Sequence, residues 1–415
     1  MNPQELVRKT LGVVEEQEKW RGTETINLIA SENVMSPVAR SVFASDFMHR
    51  YAEGTIGNRM YEGTRLVDTV EQFCVDLLKS LYKVEYADVR PISGALANLA
   101  VFYAFAKPGD SAMSLNVSSG AHISYREFGS AGCRGLKVVD IPFDNGEMNI
   151  DLERFSDLAR KVKPKIITLG GSLFLFPSPV KEIREVADEV GAIVHYDGAH
   201  VMGLILGGKF QDPLAEGAQI LTGSTHKTLP GPQGGVLLTP DENMFKSLKK
   251  AIYPGLVSNH HLHRLPSLAI TLAEMVTFGK EYAEQIVKNA KALGEALRRF
   301  GFNVLCSHKG FTESHQVALD VSKMGGGDRV AKTLAMANII ANKNLLPWDA
   351  VKNVDNPSGV RLGTQEVTRR GLKEADMRTI AEFIKRLVID GEKPSMVKDE
   401  VIQVRRQFPT ITYCF

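Results

Sequence analysis

The residues best able to do chemistry are Asp197 and Lys227, thirty positions apart (227 − 197), each at the end of a short apolar run. Asp197 opens Asp197-Gly198-Ala199-His200, and Lys227 closes Ser224-Thr225-His226-Lys227, just ahead of Gly231-Pro232-Gln233-Gly234-Gly235. A lysine amine condenses with an aldehyde to a Schiff base. An aspartate keeps a pyridine nitrogen protonated, so that the ring accepts carbanion electrons. That pair of tasks is the requirement of pyridoxal phosphate chemistry. Most lysines are solvated surface residues, but an apolar-flanked, glycine-rich turn is a poor place for one. Desolvation there would lower the amine's pKa, as a nucleophile needs.

Other residues join this pair. In Pro91-Ile92-Ser93-Gly94-Ala95-Leu96-Ala97-Asn98, small residues at a strand-to-helix junction offer backbone N–H groups and the Ser93 hydroxyl to a phosphate. The plainer alternative is an ordinary Ser93 N-cap. His122 follows the next strand and can lie over a pyridine ring; His200 can bond the cofactor or orient Asp197. Each is otherwise a loop histidine bonded to a carbonyl. Arg361 ends an apolar run and carries the fork that grips a carboxylate bidentately, unless it serves a surface salt bridge. Arg369 and Arg370 read as solvated charges opening the final helices. His260, His261 and His263 have no cysteine or carboxylate at metal-site spacing, so a structural or subunit-contact role is expected and no metal.

Short β-rich runs alternate with helical ones from Tyr86 to about Pro240. Strands are predicted at Asp88–Ile92, Ser111–Leu115, Gly135–Ile141, Lys165–Gly170, Ala192–Tyr196, Gln219–Thr222 and Gly235–Thr239. Helices are predicted at Gly94–Phe105 and Lys181–Val190, the latter with apolar residues at i, i+3, i+4 and i+7. This alternation predicts an α/β fold with a mainly parallel sheet covered on both faces, with ligands at the carboxyl ends of its strands. Later come helices at Glu284–Phe300 and Lys373–Ile389 and a strand-like run at Gln316–Val321. The expected organisation is an N-terminal helical arm (1–25), a large cofactor-binding domain (26–270) and a small α+β domain (271–415). In the arm, Leu6, Leu11, Val14 and Trp20 form an apolar face suited to lying on something else. The polar tract from Ser31 to Thr64 is long enough for a functional loop.

Composition narrows the partners. With 415 residues, 50 basic against 48 acidic side chains and a net charge of +2, nothing favours nucleic acid or an anionic membrane. The four scattered cysteines read as reduced thiols, and Met1-Asn2-Pro3-Gln4-Glu5 has no export-signal character. A cytoplasmic location is expected.

Six motifs carry a resemblance: Leu28-Ile29-Ala30-Ser31-Glu32-Asn33, Arg50-Tyr51-Ala52-Glu53-Gly54, Tyr196-Asp197-Gly198-Ala199-His200, Ser224-Thr225-His226-Lys227, Asn342-Lys343-Asn344-Leu345-Leu346-Pro347-Trp348 and Arg361-Leu362-Gly363-Thr364. Through them the chain resembles serine hydroxymethyltransferase, most closely the archaeal members, over nearly its whole length. The resemblance implies a fold-type I pyridoxal phosphate transferase, with a mostly parallel seven-stranded-type sheet and a smaller α+β C-terminal domain. It implies a homodimer with shared active sites. Lys227 would carry the cofactor, Asp197 pair with its ring nitrogen and His122 stack on the ring. Ser93, Gly94 and Ala95 would hold the phosphate, with Ser172, His200, Ser224 and His226 as further cofactor contacts. Ser31, Tyr51, Tyr61 and Arg361 would meet the amino-acid substrate, and Glu53 would be the acid–base group, a partly buried carboxyl of raised pKa. Tyr51 and Glu53 would reach the neighbouring subunit's site. Serine would lose its hydroxymethyl carbon to a reduced pterin, tetrahydrofolate or tetrahydromethanopterin. The chain departs from the family's usual pattern at Ile56, Asn58, Met60 and Thr64, where proline, lysine, an aromatic and cysteine are usual, and Glu62 adds a charge. These departures leave open a pterin-independent aldolase or transaldolase acting on threonine or α-methylserine.

Overall fold

The computed structural model describes residues 2–415. Ile166–Gly170 and Ile220–Ser224 are buried at every residue, and Ile193–Asp197 at all but the first. Strands buried along their whole length in this way are covered on both faces. They form the middle of a seven-stranded sheet in the order 86–88, 235–239, 220–224, 193–197, 166–170, 111–114, 137–140. All neighbours are parallel except Gly235–Thr239, which runs antiparallel to both strands beside it. Gly170, Asp197 and Thr222 share one register line, so the functional ends of three strands meet at one edge of the sheet.

Most predicted elements appear within a residue or two of the expected limits; Gly94–Phe105 and Gly235–Thr239 match at both ends. The strand expected at Asp88–Ile92 is instead Tyr86–Asp88. Pro91 has no N–H for a ladder, and its carbonyl takes the Gly235 N–H while the chain crosses the sheet edge.

A second core surrounds an antiparallel sheet ordered 303–304, 316–320, 359–363, 342–344. Ile26 and Leu28 are buried in this C-terminal core, and Ile26–Asn27 pairs in parallel with Ile339–Ile340. The helix expected from Glu284 begins at Arg264 and runs unbroken to Arg299, 36 residues and about 54 Å. The boundary expected at 270/271 falls inside it. Its first part (Leu265 to Ile286) packs in the large core and its last (Ala290 to Leu297) in the smaller one, so one rigid element serves both. Gly301, at φ +95°, follows its end in the left-handed conformation that stops a helix.

This long helix also corrects the reading of Arg369. That guanidinium is fully buried, 2.8 Å from Glu274 on the helix, and it also donates to the carbonyls of Thr412 and Tyr413. Arg370 is buried too, bonded to Glu366. Neither is a solvated charge, because the chain folds across them. The arm forms a helix, Pro3–Lys19, with no buried residue; Leu6, Leu11 and Val14 stay more than half exposed. Among the described residues no helix is long and apolar enough to cross a membrane.

Candidate active site

At the carboxyl edge of the large sheet lies a cavity of about 310 Å³. It brings together Ser31, Ser93, Gly94, Ala95, His122, Ser172, Asp197, His200, Ser224, His226, Lys227 and Arg361, all expected from the sequence. It does not include Tyr51, Glu53 or Tyr61. Those three lie together on a surface hairpin, where Tyr51 and Tyr61 meet edge to face at 5.0 Å and Glu53 accepts from the Tyr253 hydroxyl at 3.3 Å. The hairpin pairs Gly54–Thr55 with Asn58–Arg59 and packs against the Tyr253–Asn259 segment, which holds it away from its own chain's cavity. The departures at Met60 and Glu62 are exposed there.

Lys227 follows directly on the strand Ile220–Ser224. Its turn is closed by Thr225, whose N–H reaches Gly234 O at 3.1 Å and whose carbonyl accepts from Gly231 N–H at 2.8 Å. Asn33 Nδ2 caps the Lys227 carbonyl at 2.5 Å. Burial pushes the Lys227 amine down to about 8, with the Asp197 carboxylate opposing and Arg361 adding to the fall. At pH 7 the reactive neutral fraction thereby rises from about 0.03% to roughly a tenth.

Asp197 ends its own strand with every lone-pair direction but one assigned. Oδ1 accepts from Ala199 N–H at 2.8 Å; Oδ2 accepts from Asn98 Nδ2 at 2.7 Å and from the Tyr125 hydroxyl at 2.5 Å. Beneath Asn98 runs a directional chain. The Asn98 carbonyl oxygen accepts from Thr222, whose hydroxyl oxygen therefore accepts from His195 Nε2–H. Asn98, Tyr125 and His195 were not singled out in the sequence; the only signal was that Asn98 and Tyr125 lie near Ser93 and His122.

His200 does not orient Asp197. Its Nδ1 faces Gln316 Nε2 at 2.9 Å. Gln316 Oε1 is committed to the Phe174 N–H at 2.8 Å, so its amide nitrogen must be the donor to His200. His200 thus carries its proton on Nε2, and burial holds its pKa far below the usual histidine value. By the same logic Ser124 N–H donates to His122 Nδ1 at 3.2 Å, and burial lowers that ring's pKa as well. Both rings are neutral faces and donors. Gln316, reached from the smaller core, had no local signal in the sequence.

Ser93 is indeed an N-cap, its hydroxyl accepting from Leu96 N–H at 3.1 Å. The first N–H groups of the helix, at Gly94 and Ala95, have no partner within the helix and face the cavity. A Cβ at Gly94 would come within 2.6 Å of Ser224 Oγ and force that hydroxyl to turn. Arg361 enters from the strand Gly359–Gly363 of the smaller sheet. It is bonded to the Ser172 carbonyl, to Ser172 Oγ at 3.0 Å and to Asn342 Oδ1 at 3.3 and 3.2 Å, and burial pulls its pKa to about 10. It is not a surface salt bridge. Of its five N–H groups one remains for a ligand, with more once Ser172 yields.

His260 is buried and bonds Glu71 at 2.9 Å. Among the described residues no group of three or more His, Cys, Asp or Glu side chains is arranged to hold a metal.

These donors fit pyridoxal phosphate: a desolvated amine, a carboxylate with one free direction, two neutral imidazoles, unpaired helix N–H groups and an orphaned buried His226 Nδ1. The comparisons agree. The serine hydroxymethyltransferase family model matches residues 7–384. The chain is 55% identical to the serine hydroxymethyltransferase of Methanocella arvoryzae, covering 94% of this chain and 92% of that protein. It is 55% identical to that of Methanocaldococcus jannaschii (96% and 94% covered) and 52% identical to that of Sulfolobus acidocaldarius (100% and 95% covered). The crystal structure of L-threonine transaldolase from Pseudomonas fluorescens superposes with a TM-score of 0.90 at 28% identity, over 99% of this chain and 94% of that one. A lysine and an aspartate set at adjacent strand ends, in a chain so similar over its whole length to these transferases, belong to one lineage: the protein is a member of the serine hydroxymethyltransferase family of pyridoxal-phosphate-dependent enzymes.

Proposed function

We propose that this enzyme interconverts serine and glycine and passes the hydroxymethyl carbon to a reduced pterin, tetrahydrofolate or tetrahydromethanopterin, in the cytoplasm. The observation that carries the reading is the shared cavity of Lys227, Asp197 and Arg361. Pyridoxal phosphate, bound there, supplies an electron sink for the bond-breaking step. Lys227 would hold its aldehyde carbon, and Asp197, fixed by Tyr125, Asn98 and Ala199, would keep its ring nitrogen protonated. His122, His200 Nε2–H and Ser172 line the same cavity and would contact its ring. Gly94 and Ala95 N–H groups with the Ser93 turn receive the phosphate, beside Ser224 and His226. Arg361 grips the amino-acid carboxylate, with Ser31 alongside.

In this reading the working unit is a homodimer. Tyr51, Glu53 and Tyr61 serve the partner's cavity, with Glu53 moving a proton as the hydroxymethyl carbon departs. Two observations support it: those side chains lie outside their own chain's cavity, and the apolar face of the N-terminal helix has no cover within one chain. The helical arm, the large cofactor-binding part and the small C-terminal part are the proposed working divisions.

The test is to assay purified enzyme on serine, threonine and α-methylserine with and without each pterin. Serine turnover that needs a tetrahydropterin supports the transferase reading. Serine turnover unchanged without any pterin removes it and leaves the aldolase.

A further inference from the structure

Glu53 sits on an exposed hairpin whose backbone is held from below by buried charge. Three consecutive carbonyls are taken. Arg59 Nη1 donates to Ala52 O at 2.9 Å, Met60 N–H to Glu53 O at 2.9 Å and Arg90 Nη1 to Gly54 O at 3.2 Å. The N–H on the near side is taken as well, by Asn259 Oδ1 at 2.9 Å from Ala52 N. Gly54, at φ +113°, makes the tight approach possible, since a Cβ there would meet Asn58 O at 2.5 Å.

Both guanidiniums are almost wholly buried, with side chains 3% and 4% exposed. Their remaining donors go to buried or half-buried acids. Arg59 reaches Asp68 at 2.7 Å and Glu71 at 2.8 Å, and Glu71 is shared with His260. Arg90 is locked to Asp88 at 2.5 Å. Burying this many charges costs desolvation that an apolar filling would avoid, so stability alone is a poor account of the arrangement. What it fixes is the direction of one short stretch of backbone, which carries the half-buried Glu53 carboxylate.

We infer that Arg59 and Arg90 form a clamp that aims Glu53: they are positioning residues for the proton transfer, acting through the backbone on either side of that residue. The inference rests on the role proposed for Glu53 above. A carboxylate that must meet a reacting atom within hydrogen-bond reach loses rate steeply when displaced by an ångström.

The experiment is a double-mutant cycle on the holoenzyme, comparing Arg59→Met, Glu53→Gln and both together in pterin-dependent serine cleavage. Arg59→Met is expected to lower kcat about tenfold to a hundredfold, with serine KM and the absorbance of the glycine-bound cofactor little changed. Arg59→Lys should recover part of the loss. In the Glu53→Gln background Arg59→Met should cost nothing more. If Arg59→Met does not fold, Arg90→Gln, which leaves the Arg59–Glu71 pair in place, carries the same expectations. A crippled Glu53→Gln beside an unaffected Arg59→Met overturns the clamp alone. Equal losses from Arg59→Met in both backgrounds also overturn it, since the effect is then merely structural. Wild-type activity in Glu53→Gln overturns the role of Glu53, and the clamp with it.

Discussion

The Tyr125 hydroxyl and the Asn98 amide converge on a single oxygen of Asp197, at 2.5 and 2.7 Å. Burial and the neighbouring carboxylate drive the Tyr125 phenol's pKa far upward, so it stays a donor at any working pH. Both lone-pair directions of Oδ2 are thereby occupied, and with Ala199 N–H on Oδ1 one direction of Oδ1 is left for a ligand. Removing one hydrogen bond to a buried charge costs about 1.5–3 kcal/mol. Tyr125→Phe should therefore weaken cofactor affinity roughly tenfold to a hundredfold, measured by titrating the stripped enzyme with pyridoxal phosphate. Unchanged affinity would show that Asp197 keeps its aim without Tyr125.

Lys227 reacts only when neutral, and burial lowers its pKa to about 8. Deprotonation grows with pH. The rate at which the stripped enzyme captures pyridoxal phosphate should therefore climb about tenfold per pH unit below that value and level off above it. Stopped-flow absorbance from pH 6 to 10 measures this. A rate still climbing at pH 10 would mean a solvated amine. Lys227→Ala should abolish the protein-bound absorbance altogether.

Shared active sites make a distinct prediction. Lys227→Ala and Glu53→Gln each inactivate a homodimer, but a hybrid of the two holds one site with both residues intact. Co-expressed variants should recover roughly a quarter of wild-type sites, by random pairing of a two-fold dimer. Activity no greater than either parent's would place Glu53 in its own chain's chemistry or in none.

The Arg369–Glu274 pair, at 2.8 Å and with both side chains wholly buried, ties the long helix to the C-terminal segment. Arg369→Met strands the carboxylate and should cost about 3–5 kcal/mol in urea denaturation. Adding Glu274→Leu should restore much of that loss, because the unpaired charge is gone. A loss below about 1 kcal/mol in the single variant would show that the pair behaves as an exposed one does.

Much of the cofactor site was legible before any fold was known. The apolar runs ending at Asp197 and Ser224, and the Ser93-Gly94-Ala95 junction, are local patterns, and strand ends in such sheets gather at one edge. Arg361 was legible as a fork but not as the side chain held by Ser172 and Asn342. Arg369 and Arg370 were misread because a charge's exposure depends on what folds over it. Over Arg369 that is a helix which the 3.6-residue pattern, weak toward its buried N-terminal half, announced twenty residues late.

Short-range order alone therefore determined the strands, their reactive ends and the chemistry those ends can do, since side-chain period and turn residues act over a few positions. Tertiary structure decided which donors surround Asp197, which proton His200 carries, and that Glu53 stands on a guanidinium-braced hairpin away from its own cavity. Some of those relationships are local, such as Arg59 with Ala52, but those that set the site join residues 72 to 116 positions apart, Tyr125 with Asp197 and His200 with Gln316, and only packing brings them within bonding distance.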